Sequence, residues 1–506
     1  MPNQTPGVYI EEINPVPNAI VPVETSIPAF IGFTEKVILD GKNLTNVPYR
    51  IESLLEFEEI FGTGYSRTYS LSVASSPQEQ DFALNGISYA LKEDPDTYFL
   101  LYDSIKLFFM NGGRNCYIVS VGTYSGTRKG MHYKSIKPFT EGIDELKNEK
   151  ESSILVIPDA VAFKSNDCYR IQEYMLMHCG QEKNRFAILD IHEGYKNLDD
   201  PNFNPIENFR NNVSSNSFSY GAAYYPWLNT NIIDIDEVNF KSLNLESIQT
   251  LIGIFENSMS KSQINEIKQK IAETNSSASV LENEDQTKTE EIHNILSTSI
   301  PEYNILMEAI LKKKNILPPS AAMAGIYAKV DSERGVWKAP ANRSFNFVDS
   351  PTVVIDQAQN NELNAPTSGR SICAIRLFTG KGTLVWGART LDGNNYEWKY
   401  IPIRRTMIMI EQSINNGLTQ LAFMPNTAAT WSSTKSLISN FLNNLWRQGA
   451  LAGAKSEEAF FVAVGLGTTM TSQDVIHGII KIQVGVALTK PAEFIVIKFQ
   501  QQTQNA

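Results

Sequence analysis

Ile154-Leu-Val-Ile-Pro158 and Phe186-Ala-Ile-Leu-Asp190 are two short apolar runs that, with the segment between them, decide the fold. Runs of this length and composition are the pattern of strands buried on both faces. Between them, Tyr169 to Glu182 places Ile171, Met175 and Cys179 at i, i+4 and i+8, one stripe of a helix. Strand, helix and strand in that order make a βαβ unit. The spacing therefore predicts a parallel sheet and an α/β class, mixed with α+β elements elsewhere. Asp159 and Asp190 stand at the carboxyl ends of the two strands, where α/β proteins place ligand sites. Acids at such points also cap helices and turns.

Outward from this unit the chain changes character twice. Residues 1–35 contain Pro2, Pro6, Pro15, Pro17, Pro22 and Pro28, which exclude a helix and predict an extended arm. The arm holds one strand-like run, Val8-Tyr9-Ile10-Glu11-Glu12-Ile13, that cannot hold itself in place and needs an outside partner. Residues 36–340 read as a mixed α/β region. Within it, 256–300 is a polar helical decoration with Ile264, Ile267 and Ile271 at helical spacing. Asn304 to Lys314 is a further helix whose Lys312, Lys313 and Lys314 suit its negative end.

Residues 341–506 form the third region. With Trp337 just before it, the end of the chain carries five of the six tryptophans (Trp337, Trp386, Trp398, Trp431, Trp446), which predicts a separate aromatic-rich core. Gly380-Lys-Gly382 between two apolar runs signals a hairpin. Ser433 to Gln448 is the best helix in the chain, with Leu437, Ile438, Phe441, Leu442, Leu445 and Trp446 on one stripe and Gly449 as its cap. Its opposite face is polar but hardly charged, a composition that suits an interface. Ile480, Ile482, Val484 and Val486 alternate with Lys481 and Gln483. After Lys490-Pro491, the run Phe494-Ile495-Val496-Ile497-Lys498-Phe499 repeats the alternation. The chain thus begins and ends in isolated strand-like tails.

The composition excludes several classes. At 506 residues the chain exceeds one hydrophobic core, and 42% hydrophobic with 20% charged residues is the balance of a folded protein. Acids outnumber bases 55 to 44, for a net charge of −11, which argues against nucleic acid as a partner. Its best apolar run, Val475 to Leu488, is interrupted by Lys481, which argues against membrane insertion. The start, MPNQTPGVYIEE, has no basic and apolar leader, so we expect assembly in the cytoplasm without a signal peptide. Cys116, Cys168, Cys179 and Cys373 form no paired spacing and read as buried free thiols. Gly41-Lys42 and Gly380-Lys381 lack the Ser or Thr of a P-loop, and His132, His178, His192, His293 and His477 show no zinc spacing. We assign no catalytic, cofactor-binding or metal residue. The rival readings are an α/β enzyme using Asp159 and Asp190, and a non-contractile filament or coat protein.

An ordered set of motifs then resembles the sheath proteins of contractile phage tails, R-type pyocins and extracellular injection particles of the antifeeding-prophage type. Pro6-Gly-Val-Tyr-Ile-Glu-Glu12 is similar to the family's opening, and Phe108-Phe-Met-Asn-Gly-Gly-Arg-Asn-Cys-Tyr117 to its strand-and-turn. Tyr224-Tyr-Pro-Trp227, Pro318-Pro-Ser320, Ala324-Gly-Ile-Tyr-Ala328 and Arg334-Gly-Val-Trp-Lys-Ala-Pro-Ala-Asn342 follow. Val385-Trp-Gly-Ala-Arg-Thr-Leu391, Arg404-Arg405, Leu445-Trp-Arg-Gln-Gly-Ala-Leu451, Glu457-Glu-Ala-Phe-Phe461 and Lys490-Pro-Ala-Glu-Phe494 complete the set. Gly369-Arg-Ser-Ile-Cys373 departs from the pattern, and 35–100 and 230–300 carry no motif.

The resemblance implies a tail-sheath fold with an inner domain, made from 341–506 and the amino-terminal arm, and an outer inserted α/β domain. It implies a structural subunit, not an enzyme, that polymerises helically with copies of itself in six-fold rings around an inner tube. Contraction of that polymer drives the tube through a target envelope. Baseplate proteins, terminal cap proteins and sheath paralogues are the other implied partners, and a phage tail or a released or anchored extracellular particle is the implied setting. The exchanged strands would be Val8–Ile13 and Phe494–Phe499, received by a hairpin containing Ile480, Ile482, Val484 and Val486 of another copy. Lys435, Ser436, Ser439, Asn440, Asn443 and Arg447, on the polar helix face, are the candidates for touching the tube. Pro15–Pro28 and Thr489–Ala492 are the candidate linker hinges.

Overall fold

The strand at the centre of the main sheet is Pro28–Thr34, from the segment the sequence reading gave to the arm. All seven of its residues are buried. Pro28 is its first residue, where a strand tolerates proline, so the prolines that exclude a helix do not exclude this strand. In a computed structural model of the chain, residues 19–84, 86–124, 135–199, 203–255, 269 and 282–493 are described. Val8–Ile13 and Phe494–Phe499 lie outside them, as do Ile264, Ile267 and Ile271.

Two compact units divide the chain: Thr25–Arg404, and Met1–Glu24 together with Arg405–Ala506. The break falls at Arg404/Arg405, not near residue 340, because two later strands complete the main sheet. Trp337, Trp386 and Trp398 accordingly belong to the larger unit, and Trp431 and Trp446 to the smaller. None of these five is fully buried, whereas the sixth, Trp227, is.

The main sheet has eight strands: β1 (Pro28–Thr34), β2 (Tyr49–Ile51), β3 (Cys116–Thr123), β4 (Ile154–Val156), β5 (Phe186–Asp190), β6 (Gly221–Tyr225), β7 (Cys373–Phe378) and β8 (Gly382–Val385). Their order is β8-β7-β6-β5-β4-β1-β3-β2. The six inner strands are parallel, and β2 and β8 close the two edges antiparallel. β4 and β5 pair in parallel with Val156 opposite Ile188, and the helix between them spans Ser165–Glu182. This is the expected βαβ unit, and β7 and β8 form the expected hairpin.

Alternate residues of β1 face opposite layers. Phe30 meets Phe108 of α1 (Leu101–Met110) at 5.2 Å between ring centroids. Phe33 meets Phe139 of α2 (Lys137–Glu145) at 5.6 Å. α3 (Ser165–Glu182) packs with α2, and α4 (Ser320–Arg334) packs with α1. α1 and α4 approach closely at Gly325, where a Cβ would lie 2.6 Å from the Phe108 carbonyl oxygen. That contact explains the small residues of Ala324-Gly-Ile-Tyr-Ala328.

Phe108–Met110 is the last turn of α1, not a strand, so the expected strand-and-turn there is a helix end, a turn and then β3. Asn111 joins the pieces: its Nδ2 donates to the carbonyls of Leu107 and Asn346, and its Oδ1 accepts from the Asn346 amide. The predicted helix near 304–314 spans Pro301–Lys314, with its three lysines in the last turn.

Candidate assembly site

The smaller unit is built on two helices, the part of α5 (Ile401–Thr419) from Arg405 onward and α6 (Ala428–Arg447). Leu437, Ile438, Phe441, Leu442 and Leu445 bury the predicted stripe of α6. Trp446 is half-buried, and its indole N–H donates to the Gly453 carbonyl at 2.9 Å. On the other face Lys435, Ser436, Asn440 and Arg447 are exposed, and Ser439 and Asn443 are half-buried.

A two-stranded ribbon packs on α6. Its strands are β9 (Phe460–Val464) and β10 (Ile482–Val486), antiparallel with Val462 opposite Val484. The receiving hairpin inferred from sequence therefore differs. Ile482, Val484 and Val486 lie on β10, Ile480 precedes it, and the strand beside it is Phe460–Val464. The signal was present in Phe460-Phe-Val-Ala-Val464, an apolar run hidden by the 17-residue connection after it. Opposed residues share a face, so Val462 looks inward with Val484, while Phe461 looks outward with Gly485. A Cβ on Gly485 would sit 2.1 Å from the Phe461 ring, so only glycine lets that ring, 53% exposed, lie across the ribbon. Among the described residues neither strand has a second strand partner, and the ribbon has two open edges.

The first and last described stretches of the chain are both anchored beside this unit's helices. On the amino-terminal side, Ile20 is buried against Gly417 of α5, and the Val23 amide donates to Ser413 Oγ at 3.0 Å. Ser413 Oγ in turn donates to the Met409 carbonyl at 2.6 Å. On the other side, the Ala487 amide donates to Ala459 O, Ala452 donates to Ala487 O, and the Thr489 amide donates to Ala450 O at 3.1 Å. Thr489 Oγ1 also donates to the Gly449 carbonyl at 3.2 Å. Thr489, the first residue of the candidate hinge Thr489–Ala492, is thus clamped by its amide and its hydroxyl. The same holds in the larger unit for Thr25–Pro28, where Ile27 is buried and its amide donates to Ser153 Oγ. Between the ribbon strands, the Lys481 ammonium at 2.7 Å and the Thr471 amide and hydroxyl hold Asp474 down to about 2.

The two aspartates of the enzyme reading do other work. Asp159 is wholly buried: Oδ1 accepts from the Leu100 amide at 2.7 Å and Oδ2 from the Phe33 amide at 3.2 Å. It thereby ties the start of α1 to β1. Asp190, 3% exposed, accepts from the Ser320 amide at 2.8 Å and from Ser320 Oγ, capping α4. Both are caps, of helices remote in sequence. All four cysteines are buried and free.

Burial pushes both carboxyls up from the ordinary range to about 7, against the pull of the donors they accept from. The folded chain therefore binds protons there that the unfolded chain releases near pH 4. Their contribution to stability is full below about pH 4 and is lost as pH rises through 7. We expect Asp159→Asn/Asp190→Asn to flatten the pH dependence of the urea midpoint between pH 5 and 8. The change is on the order of 1 kcal/mol per pH unit per group. An unchanged slope would contradict the assignment.

Comparison with known proteins adds the following. The phage tail sheath C-terminal domain family matches residues 394–502. A prophage major tail sheath protein of Pseudomonas aeruginosa strain UCBPP-PA14 is 26% identical over 134 residues, which is 26% of this chain and 34% of that protein. Over that relative, then, the chain matches about a third of its length. The sheath of the PVC extracellular contractile injection system in its contracted state is 25% identical, with TM-score 0.61 and 99% of each chain covered. The helical sheath of the anti-feeding prophage in its contracted state is 26% identical, with TM-score 0.60, covering 99% of this chain and 100% of that one.

Proposed function

We propose that this chain, a member of the contractile tail sheath proteins, is the structural subunit of a contractile sheath and does no catalysis of its own. Copies polymerise helically by lending strands. Val8–Ile13 of one subunit and Phe494–Phe499 of another add to the open edges of the β9–β10 ribbon of a third. The observation that supports this reading is that ribbon: two strands packed on α6, neither with a second strand partner among the described residues, beside the points where the described ends of the chain are anchored. An unpaired edge exposes N–H and C=O groups that an added strand satisfies. Because donor and acceptor surfaces differ, the contact is heterologous and propagates instead of closing.

The polymer surrounds an inner tube in six-fold rings, is nucleated on baseplate proteins, is terminated by cap proteins, and is assembled in the cytoplasm. The exposed, nearly uncharged face of α6 suits a sparse, sliding tube contact through Lys435, Ser436, Ser439, Asn440, Asn443 and Arg447. Contraction is a second packing of the same folded subunits, with the linkers beyond residues 19 and 489 bending while the strands stay exchanged. A gain of about 2 kcal/mol per subunit, an ordinary interface contribution, sums along a sheath to the work of insertion without nucleotide. Electron microscopy of purified particles tests the function: sheaths of two lengths and two diameters are expected. A single fixed length would favour the non-contractile filament.

A further inference from the structure

Between α5 and α6 the chain turns through Leu421-Ala-Phe-Met-Pro425, and Phe423 at the tip is fully exposed. Its φ is +70°, a conformation that bulky residues rarely adopt. An aromatic ring held in solvent on such a backbone contributes nothing to its own unit. The turn does not stand alone. Asn426, just past it, donates from Nδ2 to the Ile479 carbonyl at 3.3 Å and accepts from the Trp431 indole N–H at 2.7 Å. That bond sets the turn beside the segment carrying Ile476, 80% exposed, and Ile479, 44% exposed. The turn and this segment, joined by that bond, carry three large exposed apolar side chains. The nearby charges, Asp474 and Lys481, neutralise each other.

We propose that Phe423, with Ile476 and Ile479 beside it, is an apolar anchor by which one subunit grips a second copy of this chain, in addition to the exchanged strands. The proposal rests on the sheath reading above. Continuity favours a second copy as the occupant. Ile479 lies three residues before β10, so a sister subunit joined at the ribbon edge, as proposed above, would pass close to this segment. The inner tube is the poorer fit, because a tube contact has to slide, and an aromatic anchor seated in a pocket resists sliding. The neutralised charge pair likewise suits an apolar pocket better than a charged surface.

The test uses the full chain with Phe423→Gly, which removes the ring and suits the positive φ. The expected result is opposite movement of two readouts. The melting temperature of the subunit is unchanged or raised, while the concentration needed for polymerisation rises by roughly thirtyfold, the effect of losing an aromatic anchor. A lowered melting temperature would make Phe423 a folding residue and overturn the proposal, as would polymerisation at the normal concentration. A photo-crosslinking p-benzoylphenylalanine at 423 is expected to give a sheath–sheath adduct in assembled particles, and a sheath–tube adduct instead would overturn the proposal. The sheath reading fails separately, if purified particles show a single fixed length, whatever residue 423 does.

Discussion

A chain lacking residues 2–13 will fold, stay soluble and form no tubes at concentrations where the intact chain is wholly polymerised. The deletion removes Val8–Ile13 but stops short of Ile20 and Val23, which bind the arm's root to α5, so the smaller unit keeps its packing. What is lost is the strand that would cover one edge of another copy's ribbon. A six-residue strand making several main-chain hydrogen bonds at about 1 kcal/mol each contributes on the order of 5 kcal/mol per contact. Its loss weakens association by about a thousandfold or more. Sedimentation should show one small species, and micrographs no tubes. Ile10→Pro provides the length-preserving control, because proline would remove an N–H from the middle of the proposed lent strand and should reproduce much of the defect. Normal tubes from the truncated chain would refute strand lending while leaving the fold untouched.

The elements legible in the sequence are those whose pattern is local. β4, α3 and β5 announced themselves because apolar runs and a helical stripe are set by neighbours in sequence, and the stripe of α6 did so for the same reason. The β7–β8 hairpin was marked by Gly380 and Gly382 at its turn. What depends on distant contacts did not show. β1 was hidden because Pro22 and Pro28 carry the signal of an arm, while its burial comes from α1 and α2, over 60 residues away. The partner of β10 was missed because a helix and a glycine loop separate it from β9. The roles of Asp159 and Asp190 were open for a similar reason: the helices they cap begin at Leu101 and Ser320, not next in the chain. The anchoring of Thr489 depends on the end of α6, some 40 residues earlier.

The largest loss of subunit stability is expected from Arg67→Met. Arg67 lies in the stretch 35–100 that carries no motif, yet its side chain is 2% exposed and ties three elements together. Its Nη1 lies 3.4 Å from Glu93 of the strand Ile87–Glu93, and its Nη2 lies 3.2 Å from Asp103 of α1. Nη2 also donates to the Lys314 carbonyl at the end of the helix Pro301–Lys314. Tyr69 donates its hydroxyl to Glu93 at 3.2 Å. Burial pushes both carboxyls up, and the guanidinium is the main group holding them down. The same positive charge, added to burial, lowers Lys314 to about 8. Methionine fills most of the volume but leaves two partly buried carboxylates without their main cation, a loss of about 3 kcal/mol at pH 8. The sign with pH follows from linkage. Without Arg67 the folded-state pKa values of Glu93 and Asp103 rise further above their unfolded values, so the folded variant binds protons that the unfolded chain does not. Its deficit should therefore shrink as pH falls from 8 to 5. Urea midpoints of variant and parent at the two pH values measure this directly. Adding Glu93→Gln and Asp103→Asn to the variant should restore part of the loss at pH 8, since neutral amides need no cation. A deficit that is the same at both pH values, and is not relieved by the amides, would mean that Arg67 acts by packing and not by charge.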